Sequence, residues 1–409
     1  MSGPTRRQLL AVPAIAAVVV AVAAGGYWAT RQGQSNAHSS VSPILAFTVG
    51  TPGPTSSGSS SVAPPTAYPS PAALQTRAQN GASVQTIAYD PVRQMVWYVT
   101  YNDAGQPVLR GIATATGVIH DKRLPDDDAG YVREFGPLKV DPTGAVWLAN
   151  YDRLLRYDPA SDKLAGIVLA TSVAGELPGA TSGLNQGIRT SGLGFLDGLA
   201  LLARVNIPWL TEYDSTLHEV GRIPVPTAYA GAKDLIATSS GTLLVLPSHD
   251  QCFSGGSPLL LIDSTGSVLG QVDAGGDRLY AMGSEILVSG GASGASVLAG
   301  TTVTPVLPSM GPQNCSGMGN LAAPDPRGGV TVFLRGGGAG GRSVLEHVVD
   351  QRVVSSVTFP PVDIISSAGG QPEASPLTTE SFWVDSLATD ATGVSWMGVG
   401  GSLESIHLP

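Results

Sequence analysis

Charge is scarce in this chain. Only 13% of its residues are Asp, Glu, Lys or Arg, and 22 basic side chains face 31 acidic ones for a net charge of −9. A nucleic-acid surface needs clustered Lys and Arg to displace counterions from phosphates. Outside Arg6-Arg7 there is no basic run, so nucleic acid is excluded as a partner. Histidine occurs six times, never as His-x-His or His-x-x-x-His, so a zinc site would have to be assembled from separate parts of the fold. Cysteine is scarcer still, with Cys252 and Cys315 the only two. Long helices are also missing: past the N-terminus no extended run repeats its apolar residues at a period of about 3.6.

What is plentiful is Gly (52), Pro (31) and aliphatic residues, within a hydrophobic fraction of 43%. That fraction is too high for a disordered chain. Many short apolar strands separated by turns give this balance, which makes an all-β class the expectation.

The N-terminus has its own signal. Arg6 and Arg7 precede an uncharged stretch of Leu, Ala, Val and Ile that ends at Tyr27, Trp28 and Arg31. Positive charge before an apolar run keeps the terminus inside and sends the rest across the membrane. Thr5-Arg6-Arg7-Gln8-Leu9-Leu10 resembles a twin-arginine export signal, and Ala21-Val22-Ala23 offers a cleavage site. The run is nevertheless long enough, at roughly 20 residues, to span a bilayer. The expectation is a single-pass signal anchor in the cell membrane with an extracytoplasmic domain, or a secreted domain if the signal is cleaved. No cysteine closes the apolar run, which excludes a lipoprotein anchor. Two cysteines in an exported chain pair most simply with each other, so a Cys252–Cys315 disulfide is expected.

Three regions follow: residues 1–31 as signal anchor or export signal, 32–71 as a Ser/Pro/Gly-rich disordered linker, and 72–409 as the folded domain. Within the last, seven segments repeat a strand, a tight turn and a second strand. They begin near Ile87, Leu138, Gly194, Leu235, Leu279, Leu321 and Leu387. The turns read Asp141-Pro-Thr-Gly and Asp390-Ala-Thr-Gly in their clearest copies. Asp caps such a turn, Pro presets φ, and Gly supplies a positive φ. A second hairpin follows in each unit, as in Leu155-Arg-Tyr-Asp-Pro-Ala-Ser-Asp-Lys-Leu164. Four strands at a period of roughly 40 to 50 residues predict a seven-bladed β-propeller of four-stranded antiparallel blades. The last unit supplies three strands, so residues 74–79 are expected to pair as its fourth; residues 44–49 are the less favoured candidate.

Asp141-Pro-Thr-Gly-Ala-Val-Trp147, followed by Tyr157-Asp-Pro-Ala-Ser-Asp-Lys163, resembles the repeats of NHL-type, YVTN-type, gluconolactonase-like and two-component-regulator propellers. The resemblance is one of fold and implies no substrate. Gluconolactonase-like propellers hold a divalent cation with Glu, Asn and Asp near the channel mouth, a set that Glu134, Asn150 and Asp385 could imitate here. Streptogramin lyases, also propellers, use a mouth histidine and Mg²⁺, and His249 is the one histidine in a long loop.

In a four-stranded meander the first and third turns share one face, and the remaining connections share the other. The first kind is short throughout this sequence. The long segments 125–134, 171–192, 248–257, 308–319, 335–342 and 360–382 all fall on the other face, where recognition is expected. Candidate ligand-binding residues there are Arg133, Glu134, Asn150, Arg204, Lys233, His249, Arg335 and Asp385. No catalytic or metal-ligating residue and no cofactor is assigned. Trp97, Trp147 and Trp396 match in position and read as blade packing, whereas Trp209 and Trp383 break the pattern and read as candidate binding aromatics. The functional expectation is an extracytoplasmic binding or sensor module for a protein, peptide or glycan. The alternative is a metal-assisted lyase or hydrolase at the channel mouth.

Overall fold

The computed structural model describes residues 86–101, 106–125, 136–150, 153–170, 173–175, 190–226, 232–247, 258–274, 276, 278–289, 294–307, 320–336, 341–359, 362–365, 377–380, 384, 386–399 and 402–408. Blade 1 comprises β1 (Ile87–Asp90), β2 (Met95–Tyr101), β3 (Pro107–Ala113) and β4 (Ile119–Arg123). Blade 2 comprises β5 (Gly136–Val140), β6 (Val146–Ala149), β7 (Arg153–Asp158) and β8 (Lys163–Val168). Blade 3 holds β9 (Thr190–Leu196), β10 (Leu199–Arg204), β11 (Trp209–Tyr213) and β12 (Glu219–Pro224). Blade 4 holds β13 (Ala232–Ala237), β14 (Leu243–Pro247), β15 (Leu259–Ile262) and β16 (Val268–Val272).

Blade 5 follows as β17 (Arg278–Met282), β18 (Glu285–Ser289), β19 (Ala295–Ala299) and β20 (Thr302–Leu307). Blade 6 is β21 (Leu321–Pro324), β22 (Val330–Leu334), β23 (Ser343–Val349) and β24 (Arg352–Phe359). A separate hairpin, β25 (Val362–Ile365) with β26 (Leu377–Glu380), precedes blade 7. Blade 7 contributes β27 (Ser386–Thr389), β28 (Val394–Val399) and β29 (Ser402–His407). Each blade is an antiparallel meander in sequence order.

The first strands of the blades form the inner ring. β1 touches β5, β5 touches β9, and the succession runs through β13, β17, β21 and β27 back to β1. The chain is a seven-bladed β-propeller. Tyr89 on β1 accepts a 3.1 Å hydrogen bond at its hydroxyl from the backbone N–H of Ala391 in blade 7, tying residues 302 apart in sequence. All seven predicted hairpins coincide with observed ones. Two loop readings need correction. Residues 190–192 belong to β9, so the loop before it ends at residue 189. The segment 360–382 carries the β25–β26 hairpin, whose strands are only four residues each and are joined without the Asp-x-x-Gly turn of the blades. Residues 1–85, with the predicted anchor, linker and closing strand, lie outside the described residues. Among the described residues no helix is long and apolar enough to cross a membrane.

The core lies between blades, because each sheet buries both faces against its neighbours. Trp97, Leu109 and Leu124 of blade 1 meet Leu138, Leu148 and Tyr157 of blade 2. Trp97 and Tyr157 pack edge to face at 5.6 Å, a geometry favoured by the ring quadrupoles. Gly111 lies opposite Trp97 in the β2–β3 pair. A Cβ there would sit 2.5 Å from the indole, so the glycine is what admits the ring. Equivalent clusters fill each following seam through blade 7.

Candidate functional site

Among the expected site residues, Arg133, Glu134, His249 and Asp385 lie outside the described residues, as do Cys252, Cys315 and Trp383. The remaining four sit on four different blades. Asn150 follows β6 and is buried. Its Oδ1 accepts from the Arg153 N–H at 2.8 Å, its own N–H donates to the Arg153 carbonyl at 3.0 Å, and its carbonyl accepts from the Thr190 hydroxyl at 2.8 Å. These bonds shape a turn and join blade 2 to blade 3. Arg335 donates its backbone N–H to Asn320 Oδ1 at 3.0 Å, next to the end of β22. Lys233 is exposed on β13.

The inner ring also holds an ion pair that no local sequence pattern shows. Lys139 on β5 reaches over blade 3 to Asp234 on β13, with Nζ 2.7 Å from Oδ1. The ammonium also donates to the Leu235 carbonyl at 3.1 Å. Asp234 is wholly buried, and its oxygens accept further bonds from the N–H groups of Leu235 and Leu279, at 2.9 and 2.8 Å. A buried carboxylate needs such complete pairing. Gly192 lets β9 lie close against β13: a Cβ there would lie 3.0 Å from the Asp234 Cα. The sequence signal was weak, since a lysine in an apolar strand reads equally as a solvated one. Among the described residues no group of three or more His, Cys, Asp or Glu is placed to hold a metal ion.

Arg204 instead belongs to a cleft of about 310 Å³ between the outer halves of blades 2 and 3. It ends β10, is buried, and donates from Nη2 to the carbonyl of Ala170 in the β8–β9 connection. Trp209 begins β11 and lines the same cleft. Arg222 lies over the Trp209 ring, its guanidinium carbon 4.9 Å from the centroid, a favourable cation–π distance. Arg222 Nε also donates to Glu219 at 2.6 Å. Gly175 stands against the indole, where a Cβ would lie 3.4 Å from Cζ3. Arg204 and Trp209 thus hold the start of the β8–β9 connection against blade 3, and the cleft opens beneath it. Val168, 76% exposed, forms the opposite apolar lip. The sequence singled out Arg204 and Trp209 for different reasons, and only folding brings them together.

Comparison with known proteins agrees with the ring of blades. A chain from a crystal structure of a mitotic checkpoint complex is similar over 90% of this protein and 99% of that chain, with a TM-score of 0.50 and 11% identity. Such identity speaks for the propeller fold alone. The WD40 domain of Neurospora crassa Pan2 aligns over 83% of this chain and 92% of that one, with a TM-score of 0.49 and 14% identity. A protein of unknown function from Bacteroides caccae covers 64% and 93%, with a TM-score of 0.42 and 16% identity. No family model matches the sequence, and no curated relative does.

Proposed function

We propose that this propeller is an extracytoplasmic binding or sensor module that recognises a protein, peptide or glycan through its long-loop face. One observation carries the reading. Every turn between the first and second strands of a blade, and between the third and fourth, spans at most five residues, whereas every connection of eight or more emerges on the opposite face. A rigid ring with all its variable length on one side is built to present loops. The Arg6-Arg7 apolar terminus and the Ser/Pro-rich stretch after it support export and a tether to the membrane, and the Cys252/Cys315 pair supports an oxidising compartment.

In the metal-assisted alternative, Asn150 would hold a cation while also shaping the turn that joins blades 2 and 3. The binding reading is tested by affinity capture from the protein's own envelope fraction, with the folded domain compared against a variant lacking residues 176–189. Capture by the intact domain and its loss in the shortened one is the expected result. Equal capture by both, with equal thermal melting, would remove the β8–β9 connection from the recognition surface.

A further inference from the structure

Each of blades 1 to 6 ends in an outer strand whose far edge pairs with no other strand among the described residues. Such an edge offers a row of free N–H and C=O groups that templates a further strand unless something spoils it. Charge, proline and glycine are the usual means, and five of the six strands use them. β4 carries Asp121, Lys122 and Arg123, β12 carries Glu219 and Arg222 and ends at Pro224, and β20 contains Pro305. Gly166 and Gly270 interrupt β8 and β16. β24 is the exception. It is the longest strand among the described residues, eight residues of Arg352-Val-Val-Ser-Ser-Val-Thr-Phe359, and past Arg352 it holds no charge, glycine or proline. Its valines and threonine suit an extended strand. A register shift sits at its start, and from Ser355 to Phe359 its pairing with β23 is regular. Val353 and Val354 are 38% and 57% exposed.

The same chain holds a segment fit to cover this edge. Between Pro43 and Gly50 the Ser/Pro/Gly-rich stretch is interrupted by Ile44-Leu-Ala-Phe-Thr-Val49, six uncharged residues without glycine or proline. Residues 74–79 are the expected partner of β29, which leaves this hexamer over. Residues 50–86, which join it to β1, suffice to span about 120 Å when extended. Packed sheets lie about 10 Å apart, and only blade 7 stands between β1 and blade 6, so β24 is within reach. Covalent attachment raises the local concentration of the segment to about the millimolar range. Neither side has to strip water from an ion on pairing, apart from Arg352 at the strand's end.

We propose that residues 44–49 pair as an added strand on the outer edge of β24 and so strap the Ser/Pro/Gly-rich stretch to blade 6. Main-chain groups supply the ladder, as in other strand additions. Leu45, Phe47 and Val49 share one side of an extended segment and cover the apolar surface that Val353 and Val354 expose. The strap fixes the side of the ring from which the chain leaves toward its N-terminus, and it is independent of what the long-loop face binds.

The test is amide hydrogen exchange on the full-length chain, which reports whether the edge of β24 is paired. Phe47→Pro removes a ladder donor from the segment without touching the blades, and Thr358→Lys places a charge on an exposed position of β24. In the parent, the β24 amides that do not bond to β23 should exchange slowly. Phe47→Pro should speed them roughly tenfold or more while β22 and β27 are unchanged, and an excess of the capped peptide of residues 42–51 should restore the protection. The same peptide should protect the Phe47→Pro, Thr358→Lys double variant several-fold less. Fast exchange of these amides in the parent would overturn the proposal, as would protection that survives Phe47→Pro. Protection that survives and rises with protein concentration would assign the edge to a second copy of the chain. Loss of protection along β29 instead of β24 would make residues 44–49 the closing strand of blade 7 and equally end the proposal.

Discussion

Asp390 is wholly buried at the first turn of blade 7 and uses both oxygens. Oδ1 accepts from the Thr392 N–H, the Thr392 hydroxyl and the Val394 N–H at 2.8, 2.7 and 3.1 Å, and Oδ2 accepts from the Trp396 indole at 2.9 Å. Asp141 repeats the arrangement with Thr143, Ala145 and Trp147. One carboxylate thus closes the turn and fixes the blade's tryptophan. The glycine that follows has a second duty. Gly393 has φ +83°, and a Cβ there would meet the Arg327 guanidinium of blade 6 at 2.1 Å. Gly144 stands in the same relation to Arg93 of blade 1. Asp390→Ala leaves the indole N–H and two backbone donors without their acceptor. It is expected to destabilise the domain by roughly 2–3 kcal/mol, read from the midpoint of urea unfolding. An unchanged midpoint would show that the turn holds without its aspartate.

Between elements, the seam of blades 6 and 7 holds a buried charge cluster. Asp325 takes bonds from the Arg327 Nε and Nη2 at 3.1 and 2.9 Å and from the Thr331 hydroxyl at 3.2 Å. Arg327 Nη1 crosses to the Leu408 carbonyl of blade 7 at 3.1 Å. His347 Nε2 lies 2.7 Å from the Gly328 carbonyl and so carries the ring proton, leaving Nδ1 toward Arg327. Burial opposes ionisation of Asp325, but the Arg327 bonds and the His347 field outweigh it and hold the carboxyl below its ordinary value. A carboxyl depressed by folding stabilises above its unfolded pKa, and that stability drains away as pH falls through the folded one. Melting temperature should therefore drop on acidification below the usual carboxylate range, and less steeply in Asp325→Asn. Parallel pH profiles for the two proteins would remove Asp325 from the acid response. Arg327→Met, which strands a buried carboxylate, is expected to cost about 3 kcal/mol or more at neutral pH.

At the scale of the whole molecule, closure decides stability. Blades 1 to 6 have four strands each, while blade 7 has three among the described residues, with β29 outermost. An open sheet edge invites pairing with other chains. Residues 74–79 are the expected fourth strand. A chain beginning at residue 72 should then melt like the full-length protein, and one beginning at residue 81 should melt lower and aggregate. Indistinguishable melting of the two would assign closure to another segment.

Much of this was legible beforehand because the repeat is local. A hairpin such as 138–147 carries its own instructions in Asp141, Gly144 and alternating apolar residues, and seven such units imply a ring. Trp97 and Trp147 were readable as packing for the same reason. The β25–β26 hairpin was not, since eleven residues separate Val362-Asp-Ile-Ile from Leu377-Thr-Thr-Glu, longer than any blade turn, and no Asp-x-x-Gly stands among them. Asn150 reads from the sequence as a candidate binding residue, and its part in the turn with Arg153 was not legible, because the sequence cannot show which donor stands nearby.

The sequence by itself determined the blade hairpins, their turns, the number of blades and the face that carries the loops. These follow from contacts within about ten residues, where turn chemistry and alternation act directly. Only the tertiary structure decided that Lys139 would meet Asp234 across blade 3, or that Arg204 and Trp209 would share a cleft with Val168. Those meetings depend on the distance between neighbouring blades, which close packing of the seams sets and no local pattern encodes.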